Sequence, residues 1–304
     1  MAPAAAPGGE ARQALAAGIG CYLIWGVVPL YFQLLGHRGA GGWEILAHRT
    51  AWAAPAALAM VLVARQQGHL MAVLRSPRTL MWLFFSSLAI AANWVVFIFA
   101  VNNGQLLESS LGYYINPLVN MAAGAVIFRE RIDRWGAGAI GAAAVGVVIQ
   151  ALALGHLPLI SLTLAFSFGA YGVLRKMIQA EAQTGLFVEC LFVGGIGAAY
   201  AVWLELSGGG HFMASPMTGL LLALAGPITA VPLALFAWAA RRMPLSAMGF
   251  IQFMSPTISF AIGVIEGEPF TPLRALSFVF IWGGAAIFAY GAWRRTRVVQ
   301  PSAA

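Results

Sequence analysis

The sequence is poor in charged residues and in cysteine. Asp, Glu, Lys and Arg make up 9% of its 304 residues, whereas hydrophobic residues make up 61%. A soluble domain carries about 25% charged residues, so this composition excludes an ordinary soluble enzyme or binding domain. The two cysteines, Cys21 and Cys190, stand within apolar runs, where they read as small core residues. The chain is therefore predicted to be an all-α integral membrane protein.

Sequence motifs of enzymes are also missing. The five histidines are scattered over different segments, and no spacing of His, Asp and Cys resembles a metal site. There is neither a nucleophile elbow nor a phosphate-binding glycine loop, so we expect no enzyme activity, no ATP-driven transport, no cofactor and no metal. The net charge of +7 comes from basic residues in short loops, which is typical of membrane topology signals. A nucleic-acid partner is not expected.

Ten apolar segments are each long enough to cross a bilayer, for which a helix needs about 20 residues. They run over 14–35, 44–64, 80–101, 107–128, 134–154, 157–177, 186–206, 218–240, 245–265 and 273–293. The connections between them are short and leave no room for a large extramembrane domain. Both ends of the chain are predicted to be disordered tails.

Basic residues alternate between the two sides of these segments. One set of loops and both tails hold most of them, including Arg65, Arg129 and Arg241. The opposite loops hold only Arg38 and Arg274. Because loops rich in lysine and arginine stay in the cytoplasm, both termini are predicted to be cytoplasmic.

The segments divide into two halves of five. Since five is odd, two related halves must enter the membrane from opposite sides, as in inverted-topology repeats. Four pairs of matching residues occur in the same order in the two halves and support a repeat. They are Trp25-Gly26 with Tyr171-Gly172, Glu44 with Glu189, Pro117 with Pro256, and Glu130 with Glu268. The predicted organisation is a tail (1–12), a first repeat (13–154), a second repeat (155–294) and a second tail (295–304).

Each half carries a proline inside an apolar run, beside a polar residue. The pairs are Asn116-Pro117 in the fourth segment and Ser255-Pro256 in the ninth. Proline in a helix interior removes a backbone donor, and in a membrane such a defect is normally placed against protein or a water-filled cavity. Matched interruptions in two halves are a pointer to a transport site. We therefore interpret Pro117 and Pro256 as hinges.

Polar side chains continue from both prolines along one helix face. Tyr113 and Asn116 are three residues apart in the fourth segment, and Gln252 and Ser255 have the same spacing in the ninth. Buried amides and hydroxyls often serve only to hold helices together, but a polar face beside both prolines favours the lining of a cavity. Further candidates within apolar runs are Asn93, Trp94, Trp25 and Tyr171. For the last two, aromatic packing alone is an equal explanation.

Ionisable residues inside membrane segments are costly and are functional candidates by default. Glu44 and His48 share a face of the second segment, and Arg49 follows them. The functional interpretation is a charged lining for a central cavity, with Arg49 either pairing with Glu44 or holding an anionic substrate. The alternative is that this cluster extends to the membrane surface at a helix start. Glu189, in the seventh segment, is either a proton carrier or an interfacial carboxylate at a helix N-terminus. Glu44, His48 and Glu189 are thus the candidates for proton coupling.

Five stretches of the chain carry a family resemblance. They are EILAHRTAW (44–52), NWVVFIFAVNN (93–103), LLESSLGYYINPLVN (106–120), LAFSFGAYGVLRK (164–176) and AQTGLFVE (182–189). They resemble the RarD-type branch of the EamA family, within the drug/metabolite transporter superfamily. The resemblance implies ten helices in two inverted EamA repeats, cytoplasmic termini, a bacterial inner-membrane location and a permease role. One loop departs from the family pattern, because Arg129 precedes Glu130 where the second copy has Gly267-Glu268.

The residues and the resemblance together predict a secondary active transporter. It would move a small organic metabolite or drug-like compound across the inner membrane by alternating access. A passive channel or pore for small solutes is the alternative, although the sequence shows no filter motif. The expected partners are the substrate and the lipid bilayer. A coupling proton is a further partner if Glu44, His48 or Glu189 carries one. Glycine-rich fifth and tenth segments allow close helix packing, compatible with a monomer or a homodimer.

Overall fold

The computed structural model describes residues 9–127, 133–240, 242 and 251–298. This part of the chain is helical, without a strand. Its helices are α1 (Gly9–His37), α2 (Gly42–Val63), α3 (Gln67–Leu74), α4 (Pro77–Asn102), α5 (Leu106–Ile127), α6 (Arg134–Leu154), α7 (Leu159–Met177), α8 (Ala182–Leu206), α9 (Pro216–Ala240), α10 (Met254–Ile265) and α11 (Pro272–Val298).

Ten of these helices correspond to the ten predicted segments, which confirms the predicted fold. The exception is α3, an eight-residue helix in a connection that the sequence analysis assigned to a loop. The start of the ninth predicted segment lies outside the described residues, as do Arg129, Glu130 and Arg241. Pro117 falls within the span of α5, and Pro256 falls within α10.

The outer surface of the bundle is apolar. Among the described residues, seven helices are long and apolar enough to cross a membrane, yet in α6 and α11 only 28% of the apolar window is buried. Leu152, Ile196 and Val279 are each at least 60% exposed. Apolar patches of this kind on a protein surface mark contact with another apolar phase, and for helices long enough to span a bilayer that phase is lipid. The chain is an integral membrane protein.

The helices pack in pairs that relate the two halves of the chain. The second helix of each half meets the other as α2 against α8, and the last meets the last as α6 against α11. α1 packs on α9 and α10, while α7 packs on α4 and α5, which is the same arrangement with the halves exchanged. Such an exchange is expected of two five-helix repeats. The boundaries at residues 12, 154 and 294 stay a prediction.

The bundle has two ends with different contacts. We call the end with the first turn of α1 and the α2–α4 connection the tail side, and the opposite end the far side. On the tail side Arg242 pairs with Glu10 at 3.1 Å. On the far side Gln33 Nε2 donates a hydrogen bond to Glu266 at 2.8 Å. Contacts between the two halves thus exist at both ends.

Glu268, in the α10–α11 connection, caps α5 of the other half. Its carboxylate accepts hydrogen bonds from the backbone N–H groups of Leu106 (2.5 Å) and Leu107 (2.9 Å). These are donors that the first turn of a helix leaves unpaired, and the negative charge faces the positive end of the helix dipole. Burial raises the pKa of Glu268 above its ordinary value, and the two N–H groups oppose that shift.

Glu268→Ala is expected to lower the free energy of unfolding by about 1 kcal/mol, the usual cost of losing an N-terminal cap. Glu266→Ala is the matched control, because Glu266 is exposed and its carboxylate accepts a hydrogen bond from the side chain of Gln33. Its effect should stay within about 0.5 kcal/mol. Unfolding of the purified protein in detergent measures both. Equal losses for the two variants would contradict the capping role.

Candidate functional site

A cavity lies between the two halves, at the middle of α1 and α4. About 640 Å³ inside it is not filled by protein atoms, a figure that includes space open to solvent. Seven helices, together with Gln252 just before α10, contribute its lining: Tyr22, Trp25, Val28, Arg49, Ile90, Asn93, Trp94, Phe97, Tyr113, Phe168, Leu233, Gln252, Ser255, Pro256 and Ser259.

The cavity brings together seven of the eleven side chains for which a cavity position was predicted. They are Trp25, Arg49, Asn93, Trp94, Tyr113, Gln252 and Ser255. Pro256, predicted as a hinge, also lines the cavity, whereas the side chain of Pro117 lies outside the described part. That these residues touch a substrate stays a prediction.

Glu44 and His48, two further candidates, do not line this cavity. Glu44 accepts a hydrogen bond from the backbone N–H of His211 (2.6 Å), and its second oxygen lies 2.8 Å from His211 Nδ1. Glu44 therefore ties α2 to the α8–α9 connection, and its partner is His211 instead of Arg49. His48 stacks on Phe212 of the same connection, with ring centroids 4.9 Å apart and planes 7° from parallel. This cluster belongs to the far side of the bundle.

Asn116 and Tyr171, the other two candidates outside the cavity, connect helices. Asn116 Nδ2 donates to the Ala165 carbonyl at 3.4 Å and joins α5 to α7. The Tyr171 hydroxyl donates to Glu189 at 3.4 Å and joins α7 to α8. Both side chains thus hold helices together. For Asn116 this is the alternative that the sequence analysis kept for buried polar residues, whereas for Tyr171 that alternative was aromatic packing.

Glu189 is the centre of a buried polar cluster. Ser86 Oγ donates to one carboxylate oxygen at 2.6 Å, and Arg175 Nη1 lies 3.6 Å from the same oxygen. The side chains of Arg175 and Glu189 are only 10% and 3% exposed. The cluster joins α4, α7 and α8, and it does not line the cavity. Tyr171 connects it to the cavity wall, because its ring packs 6.0 Å from that of Phe168.

Arg49 is the cation of the cavity lining. Its Nε donates to Thr229 Oγ1 on α9 at 2.8 Å. The guanidinium carbon lies 4.5 Å from the ring centroid of Trp94 and 5.2 Å from that of Phe32, within the range of cation–π attraction. Among the described residues, Nη1 has no hydrogen-bond partner and no carboxylate lies within ion-pair distance.

Asn93 and Tyr113 form a neutral polar pair beside Arg49. Tyr113 donates to Asn93 Oδ1 at 2.9 Å, and Asn93 Nδ2 donates to the Leu164 carbonyl (3.0 Å) and to Ser167 Oγ (3.1 Å). Both donor hydrogens of the amide are thereby used, and the side chain is held against α7. Asn93 therefore contributes to the shape of the cavity wall, and its amide hydrogens are already donated to α7.

Aromatic rings supply much of the remaining wall. Trp25 and Tyr113 both meet Phe168 edge to face, with centroids 5.8 Å and 6.2 Å away. Sequence reasoning did not select Phe168, nor the other lining residues Tyr22, Val28, Ile90, Phe97 and Leu233. Most are apolar residues in an apolar chain, where no local signal separates a cavity wall from a lipid-facing surface. Ser259 continues the face of Gln252 and Ser255 by helical spacing, and it lines the cavity with them.

Comparison with known proteins gives relatives along almost the whole chain. Residues 12–152 match the EamA-like transporter family. An uncharacterized transporter of Vibrio cholerae is 38% identical over 282 residues, which cover 92% of this chain and 93% of the relative. Protein RarD of Escherichia coli K12 is 39% identical over 285 residues, covering 93% and 96%. The chloramphenicol-sensitive protein RarD of Pseudomonas aeruginosa is 27% identical over 281 residues, covering 91% and 92%.

A solved crystal structure shares the fold. It is 19% identical in sequence, gives a TM-score of 0.61, and the match covers 92% of this chain and 98% of the solved one. The fold, the mid-bundle cavity and the long relatives agree with one another. The chain belongs to the RarD-type branch of the EamA family of membrane transporters.

Proposed function

We propose that this protein is a secondary active transporter that carries a small organic compound across the membrane by alternating access. The observation that supports this is the cavity, which receives side chains from both halves at mid-depth. In transporters built from inverted repeats, the substrate site lies at the repeat interface near the bilayer midplane. Rocking of one half against the other would then expose the same side chains to each side in turn.

Access from the far side requires contacts there to separate. Gln33 and Glu266 join α1 to the α10–α11 connection, and the Tyr31 hydroxyl donates to the Leu221 carbonyl of α9. Each bond links the first half to the second. We infer that these bonds break or change partners when the far side opens, with Pro117 and Pro256 as the hinges.

We place the protein in a bacterial inner membrane with both termini in the cytoplasm. The supporting observation is the distribution of charge, since Arg12, Arg65 and Arg175 lie toward the tail side while the far-side connections carry Arg38 and Arg274. Lysine and arginine remain in cytoplasmic loops. Labelling of cysteines introduced on each side tests this orientation.

A carrier is expected to show saturable uptake and counterflow in proteoliposomes. The compound for this assay is selected by screening metabolites for those that raise the unfolding temperature of the purified protein, because a ligand of the native state stabilises it. Preloaded unlabelled compound should then drive transient accumulation of the labelled one. Single-channel current without counterflow would instead support the passive pore, the second candidate function.

A proton is the coupling ion that we propose to test first, with Glu189 as the leading candidate. Its donor Tyr171 packs on Phe168 of the cavity wall, so protonation could respond to a change at the cavity. Glu44 and His48 are the far-side candidates. We expect uptake by the wild type to respond to a pH gradient. The response should be smaller when the residue that carries the proton is replaced by a neutral one.

The variants for this experiment are Glu44→Gln, His48→Gln and the double variant Arg175→Gln/Glu189→Gln, which removes both charges of the buried pair together. Each is reconstituted only after its unfolding temperature shows that it folds. An unchanged response to the gradient in all three would remove these residues as proton carriers. The transport proposal itself would still be tested by the counterflow experiment.

A further inference from the structure

We propose that the cavity accepts an organic monoanion, with a carboxylate held by Arg49 and a flat apolar body against the aromatic wall. This rests on the proposed function, in which the cavity is the substrate site, and it names the class of substrate. Three features of the lining support it: an uncompensated guanidinium, a lack of acidic residues, and planar rings around the remaining space.

Arg49 carries a buried charge that the described residues do not neutralise. It is 6% exposed, Thr229 occupies its Nε, and Nη1 is left without a hydrogen-bond partner in the described part of the chain. Arg175, the other buried arginine, has Glu189 at 3.6 Å. A buried charge without a partner is costly, so a negative group entering the cavity would be stabilised there. The planar fork of a guanidinium matches a carboxylate through two parallel hydrogen bonds.

The charge of the lining selects against cations and zwitterions. None of the fifteen lining residues is Asp or Glu. Glu44, the acidic residue closest to Arg49 in sequence, is already bound to His211. An ammonium group in the cavity would therefore find no carboxylate among these residues and would lie in the field of the guanidinium. A ligand with one negative charge and no positive charge fits this lining best.

The aromatic wall determines the shape of the ligand body. The guanidinium already covers one face of Trp94, and Trp25 and Tyr113 hold Phe168 between them through edge-to-face contacts. Rigid rings in these orientations favour a planar apolar group over a flexible or strongly hydrated one. Tyr22 also lines the cavity, and its buried hydroxyl has no hydrogen-bond partner among the described residues.

Matched pairs of probes test this inference on the full chain in detergent. Phenylacetate and 1-naphthylacetate carry the carboxylate, phenylacetamide and 1-naphthylacetamide have the same shape without charge, and phenylalanine adds an ammonium group. Calorimetric titration and the shift of the unfolding temperature measure binding. A hydrogen bond to a charged group contributes enough that each amide should bind about 10- to 100-fold more weakly than its acid. Phenylalanine should bind no better than phenylacetamide.

Arg49→Gln should remove the preference for the acid, and Arg49→Lys should keep part of it. Because no described carboxylate depends on Arg49, neither variant leaves a buried acid without its partner, and both are expected to fold. Arg274→Gln is the control, since Arg274 lies outside the cavity and bonds to the Pro269 carbonyl. Equal binding of acid and amide to the wild type would overturn the inference. So would a preference that persists in Arg49→Gln, or the absence of binding by both acids at millimolar concentration.

These outcomes separate the inference from the transport proposal. Counterflow of a neutral compound, combined with no preference for acids, keeps the transporter and rejects the anion site. Binding of acids through Arg49 without counterflow keeps the anion site and rejects carrier transport.

Discussion

Glu189→Gln is expected to lower the free energy of unfolding by about 3–5 kcal/mol, the usual loss when one partner of a buried ion pair is removed. The substitution leaves the Arg175 guanidinium buried with its charge uncompensated. That guanidinium keeps one hydrogen bond, from Nη2 to the Ala182 carbonyl at 3.2 Å, while Nη1 has none among the described residues. Its stabilisation therefore depends mainly on the carboxylate 3.6 Å away.

A double-mutant cycle measures this coupling. Arg175→Gln should be about as destabilising as Glu189→Gln, because it leaves the carboxylate buried instead. The double variant should lower the free energy of unfolding by less than the sum of the two single losses, since it leaves no unpaired charge of this pair buried in the bundle. Denaturant or thermal unfolding in one detergent gives the four free energies of the cycle.

The control for this cycle is the pair of Glu10 and Arg242 on the tail side. Its side chains are 54% and 35% exposed, and exposed pairs contribute about 0–1 kcal/mol. Glu10→Gln should therefore change the free energy of unfolding little. A loss in Glu189→Gln no larger than that in Glu10→Gln would show that water or lipid headgroups already screen the buried pair.

The helices were predictable from sequence because the bilayer sets their length. An apolar run near 20 residues has few alternatives to a spanning helix, and the prediction of 134–154 coincides with Arg134–Leu154. The eight residues of α3 were missed because a short apolar stretch between two spans gives no such signal. Its burial comes from tertiary packing, in which Val73 joins a cluster with Leu83 and Val188.

The cavity was partly predictable because a polar side chain inside an apolar run must have a compensating neighbour. That rule selected Asn93, Tyr113 and Gln252, which the structure places in the lining of one cavity. It did not indicate what the neighbour is. Glu44 contacts His211, which is 167 positions away along the chain. The spacing of residues within one segment cannot predict such a contact.

The geometry of a helix did, however, bear on the pairing of Glu44 with Arg49. Residues five apart are separated by about 140° around a helix, so the two side chains point in different directions. Glu44 points to the far-side connection and Arg49 points to the cavity. The two residues of one cluster thus have different surroundings, and substrate binding by Arg49 stays a prediction.

Gly226→Ala is expected to destabilise the protein by about 3 kcal/mol, at the upper end of the usual cost of overpacking. Gly226 lies where α9 crosses α2, and an added Cβ atom would come within 2.5 Å of the backbone nitrogen of Ala53 and closer still to the Trp52 carbonyl. These are backbone atoms, which cannot rotate away as a side chain can. The two helices must therefore move apart to accept the methyl group.

This movement should also reach the cavity. Thr229 lies three residues after Gly226 on α9, and Arg49 lies three residues before Trp52 on α2, so the same crossing sets the 2.8 Å bond between Arg49 Nε and Thr229 Oγ1. Gly195→Ala in α8 is the control, because nothing lies within 4 Å of its added Cβ and alanine favours a helix by about 1 kcal/mol over glycine. Its unfolding temperature should be unchanged or raised. Equal unfolding temperatures for the two variants would mean that α2 and α9 separate freely, in which case this crossing does not position Arg49.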